Sequence, residues 1–371
     1  MKPIKEILIY SSEFPPGPGG IGNHAYNLAN HLSKFHYKIT VLAPIRSEFE
    51  NNDKKISNEA KFELINMGKR KFRIFNLIQT FFFLIKMKFS RSSIIIATGT
   101  LPLITIGLLP NFKKNNKIGI IHGHETLMGS FFKKLLVSKS LLHYKKIIAV
   151  SDFSKKRVLN DFPSLQIDVI NNGANFSKFR KIKTSNTIDT KNINLVTVGN
   201  LSKRKGQLNV VRALTEIKKK YPQVMYHMVG IPTIKNEIIN EAKKLKINNN
   251  IKIHGVLNDY DMNDLLIDCD IFMMLSENLD NGDVEGFGIA IIEGNYVGLP
   301  AIGSKDCGIE DAISDEISGL LVDNKDKISI SKSIFKILND YKNFSNSSKK
   351  WADKFSWDKV INKYLDILDK I

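Results

Sequence analysis

Two glutamates, Glu285 and Glu293, stand eight positions apart in the run EGFGIAIIE, which GNYVGLPAIG follows. A Gly-Phe-Gly turn (Gly286, Phe287, Gly288) comes after the first carboxylate, and an apolar stretch precedes the second. A helix opening in that turn, over 286–297, separates the carboxylates by roughly 12 Å along its axis. Glu285 then stands at the helix mouth and Glu293 about two turns in. The free N–H groups of the first turn project beside Glu285, where a phosphate can bind. Carboxylate, anion site and second carboxylate suit a molecule with sugar hydroxyls at both ends and phosphates between, which describes a nucleotide-sugar. Taken alone, this spacing fits an ordinary amphipathic helix with a solvated glutamate better, so other residues must decide.

Three further clusters bear on that choice. Lys203, Arg204 and Lys205 precede Gly206 at a strand-to-helix corner, where cations and helix N-terminal amides make a phosphate site in principle. By themselves they read as a solvated loop. Near the start, FPPGPGGIG carries Gly17, Gly19, Gly20 and Gly22, so the backbone there can approach a ligand closely. Its spacing is neither a dinucleotide fingerprint nor a P-loop, and a plain tight turn reads as well. In IHGHE, His122 stands at the carboxyl end of a strand, where open α/β sheets place their ligands. His122 and His124 could also share a metal, but no third ligand cluster accompanies them, and no metal site is expected.

The elements that must position these residues alternate. Strand 4–10, the glycine loop, a helix with Ala25, Leu28, Ala29 and Leu32 at helical spacing, and strand 38–42 open a doubly wound parallel sheet. Strands at 94–97 and 118–122, helix 131–142, strand 147–151 and a helix capped by Ser151 or Asp152 continue it. Residues 180–192, RKIKTSNTIDTKN, are polar and aperiodic and make the best linker. A second alternating series starts at Asn194. The expected fold is therefore α/β, with two doubly wound Rossmann-like domains facing each other across a cleft. Domains are expected at 1–180 and 190–350. The tail 351–371 has apolar residues at helical spacing.

Composition bounds the function. The 371 residues suffice for two domains, with the apolar and charged content of a globular protein. Cys269 and Cys307 are the only cysteines, which excludes a disulfide framework and favours a reducing, cytoplasmic compartment. The opening MKPIKEILIYSSEFPP has too short an apolar core for a signal peptide and reads as a strand. The uncharged run 92–112 is broken by Gly99, Pro102, Gly107 and Pro110, and reads as strand, turn and helix rather than a membrane span. A formal charge of +18 favours polyanions, but lysine-rich compositional bias explains it equally. Residues 70–91 form an apolar helix with basic flanks. They read as a core helix with a solvated edge, or as an interfacial helix on the anionic inner face of a membrane.

Several stretches together resemble one family, the retaining glycosyltransferases of GT-B fold in family 4. They are FPPGPGGIGNHAYNLANHL, IHGHE, AVSDFSKKRVL, VINNGANFSKF, VGNLSKRKGQLNVVRAL and the two-glutamate block, which together span nearly the whole chain. IHGHE and NGDVEGFGI look most like the mannosyltransferase branch that uses lipid-linked or polyprenol-type acceptors. The resemblance implies that Gly19 and Gly20 bring amides to the donor diphosphate and that His122 lies beside the transferred sugar. It implies that Lys205 neutralises the phosphates, Glu293 holds the ribose hydroxyls, and Glu285 contacts the sugar or its developing charge. Gly286, Phe287 and Gly288 complete the donor site, and the 351–371 helix crosses back to the N-terminal domain. One departure stands out: the family's GRL run is GNL here, with Asn200, which cannot supply a phosphate charge. Arg204, four residues on, is the candidate replacement.

The implied chemistry is metal-independent transfer of a hexose from a GDP- or UDP-sugar to a glycan or lipid-linked acceptor, with retention. No bound cofactor and no nucleic-acid partner are expected. A nucleotide-sugar epimerase on the same architecture would instead release free sugar without an acceptor. A non-catalytic basic protein would bind nucleic acid or membrane and lose both with salt.

Overall fold

The structure, a computed structural model, describes residues 5–17, 19–44, 60–67, 80, 83–85, 93–109, 117–123, 131–184, 188–189, 191–280 and 282–371. Most of the 70–91 segment, with His124 and Glu125, lies outside the described residues. The chain divides into two compact units, Met1–Gly173 with Trp357–Ile371, and Ala174–Ser356.

The first unit holds a parallel sheet of β1 (Glu6–Ser11), β2 (Lys38–Ala43), β3 (Glu63–Asn66), β4 (Ile94–Thr98), β5 (Lys117–Ile121), β6 (Lys146–Ala149) and β7 (Ile167–Val169). Its order is β3-β2-β1-β4-β5-β6-β7. The central β4 reads IIIAT and is buried along its whole length, as expected of a strand covered on both faces. Helix α1 (Gly20–Leu32) turns Ala25, Leu28, Ala29 and Leu32 into one core layer. Helix α2 (Thr100–Leu108) follows β4, α3 (Phe131–Leu141) follows β5, and α4 (Asp152–Asp161) follows β6. Ser151, not Asp152, caps α4, accepting from the Ser154 amide at 2.9 Å. The buried Lys117 ammonium donates to the Leu109 carbonyl at 3.0 Å, just past the end of α2. Desolvation lowers its pKa to about 8.

The second unit is a six-stranded parallel sheet ordered β10-β9-β8-β11-β12-β13. Its strands are β8 (Asn194–Val198), β9 (Met225–Val229), β10 (Ile251–Gly255), β11 (Ile271–Met274), β12 (Ala301–Ser304) and β13 (Gly319–Val322). Helices α5 (Gln207–Lys220), α6 (Lys235–Lys244), α7 (Asp259–Asp268), α8 (Ile289–Val297), α9 (Lys327–Asn339) and α10 (Tyr341–Asp353) accompany it. In both sheets the strand order reverses once, between β1 and β4 and between β8 and β11. Open α/β sheets bind ligands outside the carboxyl ends of the strands at that point.

One element is added and two expectations are corrected. The edge strand β3 was not foreseen; its four residues, ELIN, carry too little alternation to stand out. The polar stretch after Arg180 is no free linker. The Arg180 and Lys181 amides both donate to Asn263 Oδ1, at 3.0 and 2.9 Å, and the Lys183 amide donates to the Val297 carbonyl. Lys183 Nζ reaches Asp270 Oδ1 at 2.9 Å and the Cys269 carbonyl at 2.7 Å, so residues 180–183 belong to the second unit. The tail is not one helix either. α10 ends at Asp353, and α11 (Trp357–Leu368) starts after a break that contains Phe355 and Ser356. There Ala174 pairs with Ser356, and its amide donates to the Phe355 carbonyl at 2.8 Å.

Candidate functional site

In the second unit the chain leaves β8 through Gly199 and Asn200, makes a short 3-10 turn over Lys203–Lys205, and enters α5 at Gly206. Gly206 has φ +70°, and a Cβ there would fall 1.7 Å from the Leu275 carbonyl oxygen, so only glycine lets this corner press against the end of β11. Buried Gln207 fixes the loop from inside: its Oε1 accepts from the Ser202 amide and its Nε2 donates to the Asn200 carbonyl, both at 3.2 Å. The Lys205 stem crosses the bare face of Gly199, and its Nζ lies 2.7 Å from Glu285 Oε2. Arg204 Nη1 bonds the same Oε2, while its Nε pairs with Asp283 Oδ1 at 3.1 Å.

Glu285, Lys205 and Arg204 thus form one cluster where the strand order of the second sheet reverses. Burial works against the Glu285 carboxylate. The Lys205 and Arg204 charges, with the hydrogen bonds from both, outweigh it and hold its pKa below the usual carboxylate value. The Glu285 carbonyl accepts from the Gly308 amide at 3.0 Å, which locks the backbone behind the carboxylate.

The helix after Glu285 starts later than its sequence suggests. Gly288 is the N-cap with φ +92°, and Ile289 is the first helical residue. Glu285 therefore precedes the helix instead of standing at its mouth, and Glu293 is the fifth residue of α8, just over a turn in. The cause is Phe287, whose ring turns into the core at 2% exposure and packs 5.6 Å from Phe355. Its side chain is an anchor, and only its backbone can meet a ligand. Glu293 pairs with Lys178 Nζ at 2.6 Å. Beside it, Tyr296 stacks on Phe176, ring centroids 4.0 Å apart and nearly parallel, so the NFSKF segment lies along α8. Asn200 is exposed.

In the first unit, Gly19 is the N-cap of α1 and Gly20 its first residue. A Cβ on Gly19 would fall 2.1 Å from Glu13 Oε2, so a carboxylate already lies against the positive end of this helix. His122 follows β5 and is 7% exposed, with its Nε2 2.8 Å from Thr98 Oγ1 at the end of β4. The His24 ring meets it edge to face, centroids 5.4 Å apart.

Sequence reasoning missed Asp283, Lys178, Thr98 and His24. Asp283 lies inside NGDVEGFGI and Lys178 inside NFSKF, both already noted as motifs, so their place in the chain was the available signal. For Thr98 there was none. Among the described residues no group of three or more His, Cys, Asp or Glu could hold a metal ion.

Comparisons with known proteins place this architecture. Residues 18–178 match the family described as Glycosyltransferase Family 4, and residues 178–354 match Glycosyl transferases group 1. The chain is 22% identical over 378 residues to a GDP-mannose-dependent alpha-(1-6)-phosphatidylinositol monomannoside mannosyltransferase of Mycolicibacterium smegmatis, covering 95% of each. It is 24% identical over 166 residues to the putative colanic acid biosynthesis glycosyltransferase WcaL of Escherichia coli, covering 44% of this chain. That match, and the one to the Salmonella typhimurium WcaL, span only 40% and 33% of those relatives' lengths. A glycosyltransferase from Rickettsia africae superposes with a TM-score of 0.78 at 21% identity, covering 99% of this chain and 98% of that one. Anabaena Alr3699/HepE, solved with UDP and glucose, superposes with a TM-score of 0.77 at 16% identity, covering 99% and 100%. Matched in both halves and sharing its fold end to end, the chain belongs to the family 4 and group 1 glycosyltransferases of GT-B fold.

Proposed function

We propose that this protein is a retaining hexosyltransferase that moves mannose, glucose or a similar hexose from a GDP- or UDP-sugar to a glycan or lipid-linked acceptor. The observation that carries the reading is the Lys205–Glu285–Arg204 cluster at the switch point of the second sheet. Names among the relatives support the substrate class: one is GDP-mannose-dependent, and one neighbour was solved with UDP and glucose.

On this reading the second unit binds the donor and the first serves the acceptor. Lys205 turns from Glu285 to the diphosphate when the donor arrives. Arg204 supplies the second charge that Asn200 cannot, using the N–H groups left over from Asp283 and Glu285. Glu293 accepts from the ribose hydroxyls in place of Lys178. Amides of the Gly286–Gly288 turn add to the phosphate site of the second unit, and Gly19 and Gly20 are the first unit's candidates for the donor diphosphate. The bond from the anomeric carbon to the diphosphate oxygen breaks as the acceptor oxygen attacks the same face. The acceptor proton passes to the leaving phosphate, which departs as nucleoside diphosphate. Fixed cations and amides aimed at that phosphate stabilise the charge that develops there without a metal ion. Glu285, relieved of Lys205, faces the oxocarbenium-like sugar, and His122 is the first unit's candidate contact for the same sugar.

The place of action is the cytoplasmic side of a membrane, where the basic excess meets anionic lipid. Among the described residues no helix is long and apolar enough to cross a bilayer. The test is a donor panel, with thermal shift for GDP- and UDP-sugars, then transfer followed by NMR of the product's anomeric configuration. Stabilisation by one donor and retained configuration are expected; no stabilisation by any nucleotide-sugar sinks the reading, and inversion sinks its stereochemistry.

A further inference from the structure

The helices on the two faces of the first sheet differ in character. Helices α1 and α11 pack against the face that carries Ile9 and Ile96. Helices α2 and α3, with Leu84, pack against the face that carries Leu8 and Ile95. The outside of α11 is that of a solvated helix: Asp358, Lys359, Lys363 and Asp366 are exposed and mix both signs. Neither α1 nor α11 exposes a large apolar side chain. The α2 and α3 layer does the opposite, with Leu108, Leu135, Leu136 and Leu142 at 40%, 41%, 44% and 54% exposure. Phe83 and Ile85, on either side of buried Leu84, are exposed as well.

The four leucines are neighbours. Leu135, Lys139 and Leu142 follow one another at helical spacing along one side of α3, and Leu136 lies beside them. Helix α2 meets α3 where a Cβ on Gly107 would fall 2.5 Å from Ser140 Cβ, so Leu108 lies by the last turn of α3. Contiguous apolar surface of this kind marks an interaction site, whereas single exposed leucines do not.

Charge identifies what covers it. Helix α2 carries no charged residue, and the charges of α3 are Lys133, Lys134 and Lys139, of which Lys139 is exposed. Residues 64–151 hold 15 lysines and arginines against one acid, Glu125, a net +14 of the chain's +18. Two copies of the chain joined on this face would set lysine against lysine with no acid between them. Anionic headgroups neutralise such lysines, and the acyl boundary beneath takes the leucines.

We propose that the outer face of α2 and α3 is a membrane-docking surface, which seats Leu108, Leu135, Leu136 and Leu142 in an anionic lipid leaflet with Lys139 at the headgroups. This surface deepens the proposed function and rests on the lipid-linked acceptor within it, because docking holds the enzyme on the leaflet where such an acceptor lies.

The test is co-sedimentation of the full chain with vesicles of phosphatidylglycerol and phosphatidylcholine in equal parts, and with vesicles of phosphatidylcholine alone. Two double variants alter the face: Leu135→Gln with Lys139→Glu, and the charge-neutral Leu136→Gln with Leu142→Gln. A third, Ile328→Gln with Lys332→Glu, makes the same change at the same spacing on exposed positions of α9 in the second unit. Melting temperature and thermal shift with GDP-mannose and UDP-glucose check the fold and the donor site of each. Wild type should bind the anionic vesicles and be released by salt. Both variants of the face should bind about 10-fold more weakly or worse, and the α9 variant within about twofold of wild type. Wild-type vesicle binding in both variants of the face overturns the surface, and so does an equal loss in the α9 variant, because net charge then explains it. A wild type that ignores both kinds of vesicle but is stabilised by a nucleotide-sugar overturns the docking and leaves the transferase reading standing. A dimer in light scattering that these variants split, with no vesicle binding, makes the face a contact between copies and overturns it too. Docking lost only in the variants of the face, with no donor stabilising any of them, upholds the surface and sinks the proposed function instead.

Discussion

Lys205 Nζ and Glu285 Oε2 lie 2.7 Å apart, although 79 residues separate them in the chain. The cation that the proposed function gives to the phosphates and the carboxylate that it gives to the sugar are paired with each other. On the proposed function, donor binding exchanges this ion pair for a lysine–phosphate contact. Glu285→Gln removes the competitor, so nucleoside diphosphate affinity should rise a few fold while turnover falls roughly 10²-fold, the size of one lost electrostatic stabiliser. Calorimetry and single-turnover transfer separate the two effects. Lost nucleotide affinity with normal turnover would reverse the assignment.

Lys205→Ala should weaken nucleoside diphosphate binding about 10- to 100-fold, since a charge-assisted bond contributes roughly 1.5–3 kcal/mol. Glu293→Gln should weaken donor and nucleoside diphosphate alike, by about 10-fold, because it acts through the ribose they share. If Glu293→Gln affects the sugar donor and spares the diphosphate, the ribose role is wrong.

Glu13 holds its carboxylate against Gly19, at the end of α1 assigned to the donor diphosphate. Like charges repel there, so Glu13→Gln should tighten nucleoside diphosphate binding a few fold, more at low salt than at high. A salt-independent loss of affinity would show that Glu13 helps the site.

His24 titrates at about 4 because burial disfavours its charged form. Its unfolded value is near 6.5, so between pH 6.5 and 4 the unfolded chain takes up a proton that the folded one refuses. Stability therefore falls as pH drops through that window. From pH 7 to pH 5 the loss is about 2 kcal/mol for this group, by linkage. His24→Phe should flatten the corresponding part of the urea-midpoint profile. An unchanged profile would place the acid sensitivity elsewhere.

Lys183 and Asp270, with side chains 10% and 9% exposed, form a buried ion pair that anchors the start of the second unit. Asp270→Asn strands the ammonium and should cost about 3 kcal/mol in urea unfolding. Lys183→Met combined with Asp270→Leu should recover much of that. An additive loss in the double variant would deny the pairing its weight.

The sequence by itself determined the repeating strand–loop–helix order of both units, because burial on two faces writes apolar runs such as IIIAT directly into the chain. It also determined which residue types could do chemistry. Lys205 and His122 follow the carboxyl ends of β8 and β5, Glu285 lies in the loop before α8 and Glu293 within it, and local pattern locates all four. Tertiary structure decided what those side chains touch. Phe287 looked like part of a helix mouth, and only the core around Phe355 could turn it inward and delay α8 to Ile289. Residues 180–183 are polar and aperiodic, yet Asn263, Val297 and Asp270 pin them down, partners more than 80 residues away. The pairings of Glu285 with Lys205 and of His24 with Tyr364 are likewise contacts across the chain. Periodicity reports which face of an element is buried and carries no record of which distant side chain lies opposite, so those pairings had to wait for the folded chain.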